Sequence, residues 1–183
     1  MLWKMSHRAD PASAVIADRH YSRQKPGTPQ FVAPGRCLVL RAETGDGIAL
    51  WVTSWPFAQY VKHAWAGAWT CSLFRNEGAA LSSDLINQAV SATRWYYGKP
   101  PALGMITFVL PKAIRSVNPG FCYKAAGWRL VGAAKDGKPC LQITPDSMPS
   151  PHAPIGATIQ HRTALPDLFE TIGATPVEFQ QAR

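Results

Sequence analysis

The stretch from Ala68 to Tyr97 constrains the fold of this chain more than any other part of the sequence. An apolar and aromatic run at 68–74 predicts a β-strand, and apolar residues at helical spacing predict a helix over 83–97. The residues Arg-Asn-Glu-Gly-Ala-Ala at 75–80 lie between them. A strand, a turn of small residues and a helix direct free backbone amides and the helix dipole at a phosphate group. The stretch therefore suggests a pyrophosphate-bearing ligand, although the same arrangement also occurs in α/β proteins that bind no phosphate.

The predicted helix has signals at both ends. Ser82 or Ser83 is expected to cap its first turn, where Asp84 suits the positive end of the helix dipole. Gly98 and Pro100 are expected to stop it. One face is apolar, so we expect the helix to pack against a sheet. The residues on that face are Leu85, Ile86, Ala89, Val90, Thr93 and Tyr97.

The whole chain predicts a mixed α/β (α+β) sheet with an N-terminal helix, an antiparallel hairpin and helices on its faces. Residues 1–145 are expected to form one domain, and 146–183 a proline-rich linker and helical tail packed on or near it. The other predicted elements are a helix at 11–21, a loop at 23–35, hairpin strands at 36–42 and 48–55, strands at 104–110, 128–132 and 138–144, and helices at 119–126 and 164–172.

Charge and hydropathy limit the partners of the chain. Its 19 Lys and Arg against 11 Asp and Glu give a net charge of +8, which attracts nucleic acid, acidic membranes or phosphorylated cofactors. The basic residues are scattered, which is more typical of a solvated surface than of a docking patch. No apolar run approaches the length that crosses a bilayer, and the first eight residues lack the apolar core of a secretion signal. We therefore expect a cytoplasmic protein with no membrane partner.

The spacing of cysteines and histidines does not indicate a metal site. The four cysteines form no Cys-x-x-Cys pair and lie in apolar surroundings, which predicts buried free thiols. The five histidines show no helical pairing suited to zinc. We therefore expect no structural metal. The cysteines are Cys37, Cys71, Cys122 and Cys140.

Two local patterns resemble the GNAT superfamily of acyltransferases. Arg75, Gly78 and Ala80 match the family's Gln/Arg-x-x-Gly-x-Gly/Ala motif, whose backbone binds the pyrophosphate of coenzyme A. The run Tyr-Lys-Ala-Ala-Gly-Trp at 123–128 matches the family's later Tyr-x-x-x-Gly-Phe/Trp segment. The resemblance covers 68–132. It implies splayed central strands, helices on both faces of the sheet, and transfer of an acetyl group from acetyl-CoA, or from a related acyl carrier, to an amine.

The resemblance also implies roles for individual residues. Tyr123 would donate a proton to the leaving sulfur, since a phenol with a pKa of about 10 is protonated at neutral pH; alternatively it packs on the sheet with its hydroxyl bonded. The residues expected to bind the cofactor are Arg75, Asn76, Gly78, Ala79, Ala80, Ser82 and Ser83.

Shorter pieces are similar to the Mom-type DNA-modification proteins of phages, which look like divergent GNAT proteins. The pieces are His20-Tyr21, Arg75-Asn76 followed by Ser82-Ser83, and the segment 120–125. This resemblance implies modification of an adenine amine in DNA, inside a bacterium or a phage-infected host cell. It leaves open a need for iron and a homodimer. The chain departs from the pattern at Leu110-Pro111, where Mom-type chains often carry an acidic residue.

Glu77 and His20 are the other candidate catalytic residues. Glu77 can act as a base, or hold a metal or the substrate amine, or instead cap the following helix. Its charge repels a pyrophosphate unless the side chain points away. His20 lies before a loop and can accept a proton near neutral pH, although a single histidine more often serves as a structural hydrogen-bonder.

Aromatic residues are concentrated at 51–65. Bases in single strands, or flipped from a duplex, stack on aromatic rings beside Lys or Arg, although such rings more often build the core. From this segment and from the His20-Tyr21 pair we expect five residues to bind the substrate: Tyr21, Ser54, Trp55, Tyr60 and His63.

Three interpretations remain open. The leading one is a GNAT-like transferase that modifies a nucleic-acid base, with DNA as partner. The second is an acetyl-CoA-dependent N-acetyltransferase acting on a small-molecule or protein amine. The third is a GNAT-like module that binds nucleic acid without catalysis.

Overall fold

The computed structural model describes residues 1–32, 34–56, 61, 63–114 and 117–159. Within them, one seven-stranded mixed sheet carries three α-helices, which confirms the predicted mixed α/β class. The strands are β1 (Lys4–Ser6), β2 (Arg36–Glu43), β3 (Ile48–Trp55), β4 (Trp69–Glu77), β5 (Met105–Phe108), β6 (Arg129–Ala133) and β7 (Pro139–Ile143). The helices are α1 (Pro11–Asp18), α2 (Ser82–Tyr97) and α3 (Phe121–Ala125), with short 3₁₀ turns at Pro111–Ala113 and Pro145–Ser147. None of the helices described has the length and apolar composition that a membrane span requires.

The sheet has the strand order β1-β2-β3-β4-β5-β7-β6, and all neighbours are antiparallel except β4 and β5. The predicted hairpin is confirmed, because β2 and β3 pair along their full length from Arg36↔Trp55 to Glu43↔Ile48. Its turn packs on the end of β4 so closely that a Cβ at Gly47 would lie 2.0 Å from the Glu77 carbonyl oxygen. Only glycine fits there.

The parallel pair in the middle of the sheet is short. β4 and β5 pair over three positions, from Trp69↔Met105 to Cys71↔Thr107. Beyond Cys71, β4 continues along β3 to Glu77, whereas β5 ends at Phe108. A cleft opens between the two strands after their last paired residues.

Both faces of the central strands are covered, whereas the edge strand β6 is exposed, and the two layers contain different helices. Ile16 and Ala17 of α1 pack with Leu50 and Val52 of β3 on one face. On the other face the apolar side of α2 packs with Trp51 of β3 and with α3. The burial of both faces explains why most strands read as continuous apolar runs.

An extra residue in β4 changes which side chains face each layer. Val52 pairs with Leu73, but Thr53 pairs with Cys71, so that Ser72 is left without an opposite residue in the register of β3. Because of this β-bulge, Cys71 faces the α2 layer while Leu73, two residues later, faces the α1 layer.

Several predicted boundaries were wrong. The first helix ends at Asp18 rather than 21, because Arg23 folds back to bind the Asp18 carboxylate at 2.6 Å. The strand predicted to end at 74 runs to Glu77, because β3 pairs with it up to Asn76. β1 was not predicted, since three residues at a sheet edge carry no alternating pattern.

The region predicted to be a linker packs on the domain as far as it is described. Met148 is buried in the core of the α2 layer. Arg94 of α2 donates to the carbonyls of Met148 and Pro149, and the Ile155 amide donates to the Trp3 carbonyl at 2.8 Å. The helix predicted over 164–172 lies outside the described residues.

Candidate functional site

The cleft between β4 and β5 has a volume of about 450 Å³ and reaches from the start of α2 to α3. Residues of β4 and α2, most of them polar, form one wall, and mainly apolar residues form the other. The first wall contains Phe74, Arg75, Asn76 and Ser82, the second Val109, Ala113, Ile114, Asn118, Gly120, Phe121, Cys122 and Tyr123, and His20 and Tyr21 lie at its edge.

Asn76 shapes the turn between β4 and α2. Its Oδ1 accepts the Ala79 amide at 3.0 Å, and its Nδ2 donates to the Ala80 carbonyl at 2.8 Å and to Ser82 Oγ at 2.9 Å. The amides of residues 80–83 have no hydrogen-bond partner among the described residues.

The predicted serine cap of α2 was wrong. Ser82 is already the first helical residue, Leu81 occupies the capping position, and no side chain caps the helix. Asn76 engages the Ser82 hydroxyl instead. The first amides of α2 therefore stay free to bind an anion at the positive end of the dipole.

The predicted cofactor residues separate into two groups, those that line the cleft and those that do not. Arg75 and Asn76 lie in β4 rather than in the turn, and with Ser82 they line the cleft. The Ala79 amide is used by Asn76, while Gly78, Ala79, Ala80 and Ser83 are not among the cleft's lining residues. Gly78 has φ +88°, and a Cβ there would lie 3.1 Å from the Asp46 carbonyl oxygen, so this position requires glycine.

Glu77 binds two arginines. Arg19 and Arg75 both donate to its carboxylate, at 2.8 Å from Arg19 Nε and 2.5 Å from Arg75 Nε. These bonds lower the pKa of Glu77 to about 2, the one from Arg19 most strongly. Glu77 is therefore ionised at neutral pH and its carboxylate is bound by the two arginines. It neither caps α2 nor is basic enough to accept a proton readily at this pH. The three side chains together keep one net positive charge beside the turn.

Tyr123 lies at the inner end of the cleft. Its hydroxyl is 3.4 Å from the Cys71 sulfur, next to Thr107, and both residues belong to the last pair between β4 and β5. Burial, and then the neighbouring Cys71, raise the pKa of Tyr123 well above its usual value. Burial likewise raises the pKa of the Cys71 thiol to about 12. Both groups are therefore protonated at neutral pH.

His20 is buried, and its ring is already hydrogen-bonded. Nδ1 accepts the Ser22 amide at 3.2 Å and lies 2.7 Å from Ser22 Oγ, and a further bond reaches the Phe74 backbone. Burial first, and then the charge of Arg75, lower the pKa of His20 to about 4. The ring is neutral at pH 7 and holds the loop after α1 against β4. These contacts are those of a structural hydrogen-bonding histidine, the alternative to a catalytic role.

A second cavity, of about 440 Å³, adjoins the cleft at Tyr21. Tyr21 lines both spaces, and its hydroxyl donates to the Phe108 carbonyl at 3.2 Å. The wall combines two aromatic rings with hydroxyl and amide groups. Its residues are Tyr21, Ser22, Gln24, Thr70, Cys71, Ser72, Phe108, Leu110 and Lys138.

Of the predicted substrate residues, Tyr21 lines the second cavity, and the His63 ring lies 5.1 Å from that of Phe108. Ser54 lies 2.9 Å from Ser72, at a third cavity described below. Trp55 packs against Trp69 and Tyr97 on the α2 layer, away from these cavities. Tyr60 lies outside the described residues.

Sequence reasoning missed the residues that the β4 bulge and the pairing of β4 with β5 bring together near the second cavity. They are Thr70, Cys71, Ser72, Thr107, Phe108 and Lys138. No local pattern marks them, because each belongs to an ordinary strand or loop.

The described residues contain no group of three His, Cys, Asp or Glu side chains able to hold a metal ion. The four cysteines are free thiols, with Cys71 and Cys140 buried and Cys37 and Cys122 half-buried. Comparison of the chain with family models, with curated proteins and with solved structures finds no match.

Proposed function

We propose that this chain is a GNAT-like transferase that binds an acyl thioester carrier in the cleft and transfers its acyl group to an amine of a nucleic-acid base. The observation that carries the proposal is the cleft itself. It begins at free helix amides and ends at a protonated phenol beside the last β4–β5 pair. The combination suits a ligand that has a phosphate at one end and a reactive sulfur at the other.

The residues present fit a carrier of the coenzyme A type. The free amide of Ser82, the residue at the start of α2 that lines the cleft, and the Nη2 of Arg75, which has no hydrogen-bond partner among the described residues, would hold the pyrophosphate. The charge of Glu77, which opposed this role in the sequence, is offset by Arg19 and Arg75. Phe74, Val109 and Ile114 would line the path of an apolar arm towards Tyr123.

The carrier supplies a thioester, whose carbonyl carbon accepts the amine nitrogen. Tyr123 gives a hydrogen bond to the sulfur as the C–S bond breaks and the C–N bond forms. A neutral phenol in a water-poor site stabilises the charge that develops there. The proton lost by the acceptor nitrogen balances the proton that the sulfur gains, so no oxidant or reductant is needed.

The second cavity suits a planar, uncharged amine. Tyr21 and Phe108 supply rings for stacking, and Gln24, Thr70 and Ser72 supply hydrogen-bonding groups. Among the described residues that line it, none is Asp or Glu. An alkylammonium group would be left without a counter-charge there, which favours a base over the cationic amine of a polyamine or a lysine.

The proposal is tested with purified protein, acetyl-CoA and a short single-stranded DNA of mixed sequence. We expect release of free thiol together with a base whose mass is raised by one acetyl group, measured by nucleoside mass spectrometry. Thiol release with small amines alone would favour the general N-acetyltransferase. Binding of DNA with no affinity for coenzyme A in calorimetry would favour a module without catalysis and would contradict the proposal.

A further inference from the structure

A third cavity, of about 480 Å³, continues the second one along the α1 layer of the sheet. The loop after α1 covers it on one side, and β3 and β4 form its floor. It shares Ser22, Gln24 and Ser72 with the second cavity. The two cavities are therefore adjacent, and together we call them the polar groove.

We propose that the polar groove binds a single-stranded polynucleotide, with the reacting base in the second cavity and the adjacent nucleotide in the third. The inference rests on the proposed function and adds to it that the acceptor is a strand of at least two nucleotides. A free base or nucleoside would fill only the part of the groove that adjoins the cleft.

The lining of the third cavity matches a nucleotide. Hydroxyl and amide side chains line it, including Ser54 and Ser72, whose Oγ atoms are 2.9 Å apart. Lys25 adds a positive charge with no ion-pair partner among the described residues. No Asp or Glu is among its described lining residues, so a phosphodiester meets no repulsion there.

The loop that covers the groove is held in a fixed shape by Arg23. Its guanidinium binds the Asp18 carboxylate at 2.6 Å and the carbonyls of Thr28 and Gln30 at 2.7 and 2.8 Å. The Arg23 side chain is only 7% exposed, and Asp18 also accepts the Gly27 amide at 2.8 Å. A preformed wall lowers the ordering cost of binding.

The shape of the groove favours a single strand over a duplex. Its inner end lies beneath Tyr21, beside the cleft, and a base reaches it only after leaving a stack. Unstacking is least costly in a single strand. A rigid paired helix would also need both strands to fit between the loop and the sheet.

The experiment compares ligands of different length by fluorescence anisotropy, in the absence of carrier. A labelled hexadeoxynucleotide competes with unlabelled hexamer, mononucleotide and duplex of the same sequence, and a hexaribonucleotide forms a parallel arm. We expect the single-stranded hexamer to bind about tenfold more tightly than the mononucleotide or the duplex, since two occupied cavities add phosphate and base contacts. The ribonucleotide arm shows whether the sugar contributes.

Matched variants locate the effect. Lys25→Ala is expected to weaken hexamer binding about threefold and to reduce its salt dependence by about one charge, with mononucleotide binding unchanged. Lys99→Ala removes the same charge from an exposed position after α2, on the other layer, and is expected to change neither. Folding of each variant is checked by thermal melting.

Equal affinity for hexamer and mononucleotide, or equal effects of Lys25→Ala and Lys99→Ala, would overturn the inference. The transfer assay separates this failure from failure of the proposed function. Hexamer binding without transfer would support the polynucleotide groove and contradict the proposed transferase. Transfer to mononucleosides as fast as to the hexamer would support the transferase and contradict the polynucleotide groove.

Discussion

The start of α2 and the polar groove lie on two sides of the candidate site, and we call them its two walls. The contacts that hold these two walls differ in how far apart the contacting residues lie along the chain. At the α2 start, Asn76 holds residues at most six positions away. In the groove, Ser22 meets Ser72, and Tyr21 meets Phe108, across 50 and 87 positions. The α2 start depends mainly on its own short sequence, with one longer-range bond from Thr44 Oγ1 to the Ala79 carbonyl at 3.1 Å, whereas the contact between the groove's loop and the sheet depends on the assembled fold. The two walls should therefore respond separately to mutation.

The largest expected effect concerns Tyr123, at the inner end of the cleft. Tyr123→Phe removes the hydroxyl and keeps the ring that packs on Phe74 and Trp128. We expect the rate of transfer to fall about 100-fold, because one positioned proton donor contributes that much or more. Steady-state kinetics should assign the loss to kcat rather than to the KM for the carrier.

Tyr21→Phe is the matched control. It also removes one phenolic hydroxyl near Cys71, but that hydroxyl donates to the Phe108 backbone carbonyl. We expect a change of less than about threefold in the same assay, since a neutral, partly exposed hydrogen bond is worth about 1 kcal/mol or less. Equal losses in the two variants would remove the special role of Tyr123.

The next effect tests the groove wall. Arg23→Met keeps the length of the side chain and leaves Asp18 and two carbonyls without their donor. We expect the variant to melt at a lower temperature, because the Thr28 and Gln30 carbonyls lose their donor and Asp18 loses its ion-pair partner. Hexamer binding should weaken about tenfold as the preformed wall is lost.

The affinity of the Arg23→Met variant for the carrier shows whether the two walls respond independently. If the two walls are separate, calorimetry with coenzyme A should give the same affinity in this variant as in the wild type. A parallel loss of carrier and hexamer binding would show that the walls are one cooperative unit.

Asn76→Ala is the converse experiment at the α2 start. It removes the three hydrogen bonds that orient the turn, and we expect unfolding to become easier by about 1–2 kcal/mol. The affinity for coenzyme A should fall about tenfold, because the free amides lose their fixed direction. Hexamer binding should stay unchanged. Asn76→Asp keeps the acceptor for Ala79 but not the donors, so a result close to that of alanine would assign the effect to the donors.

The same difference in range explains what the sequence could predict. The helix at α2, the hairpin and the order of elements along the chain follow from periodicity and turn residues, which are local. The end of β4 at Glu77 and the missing serine cap were not predictable, because pairing with β3 and the Asn76 side chain decide them. The β4 bulge at Ser72 aims the groove residues, and nothing in the run around it differs from a regular strand.

The candidate site shows the same limit. The segment 75–80 was singled out from the sequence, but Arg75, Asn76 and Glu77 lie in β4, and the Glu77 carboxylate binds Arg19, 58 residues earlier in the chain. Tyr123 was singled out by its motif, while its neighbours Cys71 and Thr107 come from two other strands. A partner that lies far along the chain can be found only when the fold brings it close.

The smallest expected effect concerns His20, which touches both walls through Arg75 and Ser22. Its pKa of about 4 lies below its ordinary value of 6.5, so the unfolded chain binds a proton at His20 between these values and the folded chain does not. Its contribution to stability is therefore complete above pH 6.5 and is lost as the pH falls towards 4. In NMR titration we expect the His20 ring resonances to stay constant from pH 8 to 5.5. A His20 midpoint near 6.5 would instead show that the loop opens at neutral pH, and would make the wall that His20 anchors a mobile one.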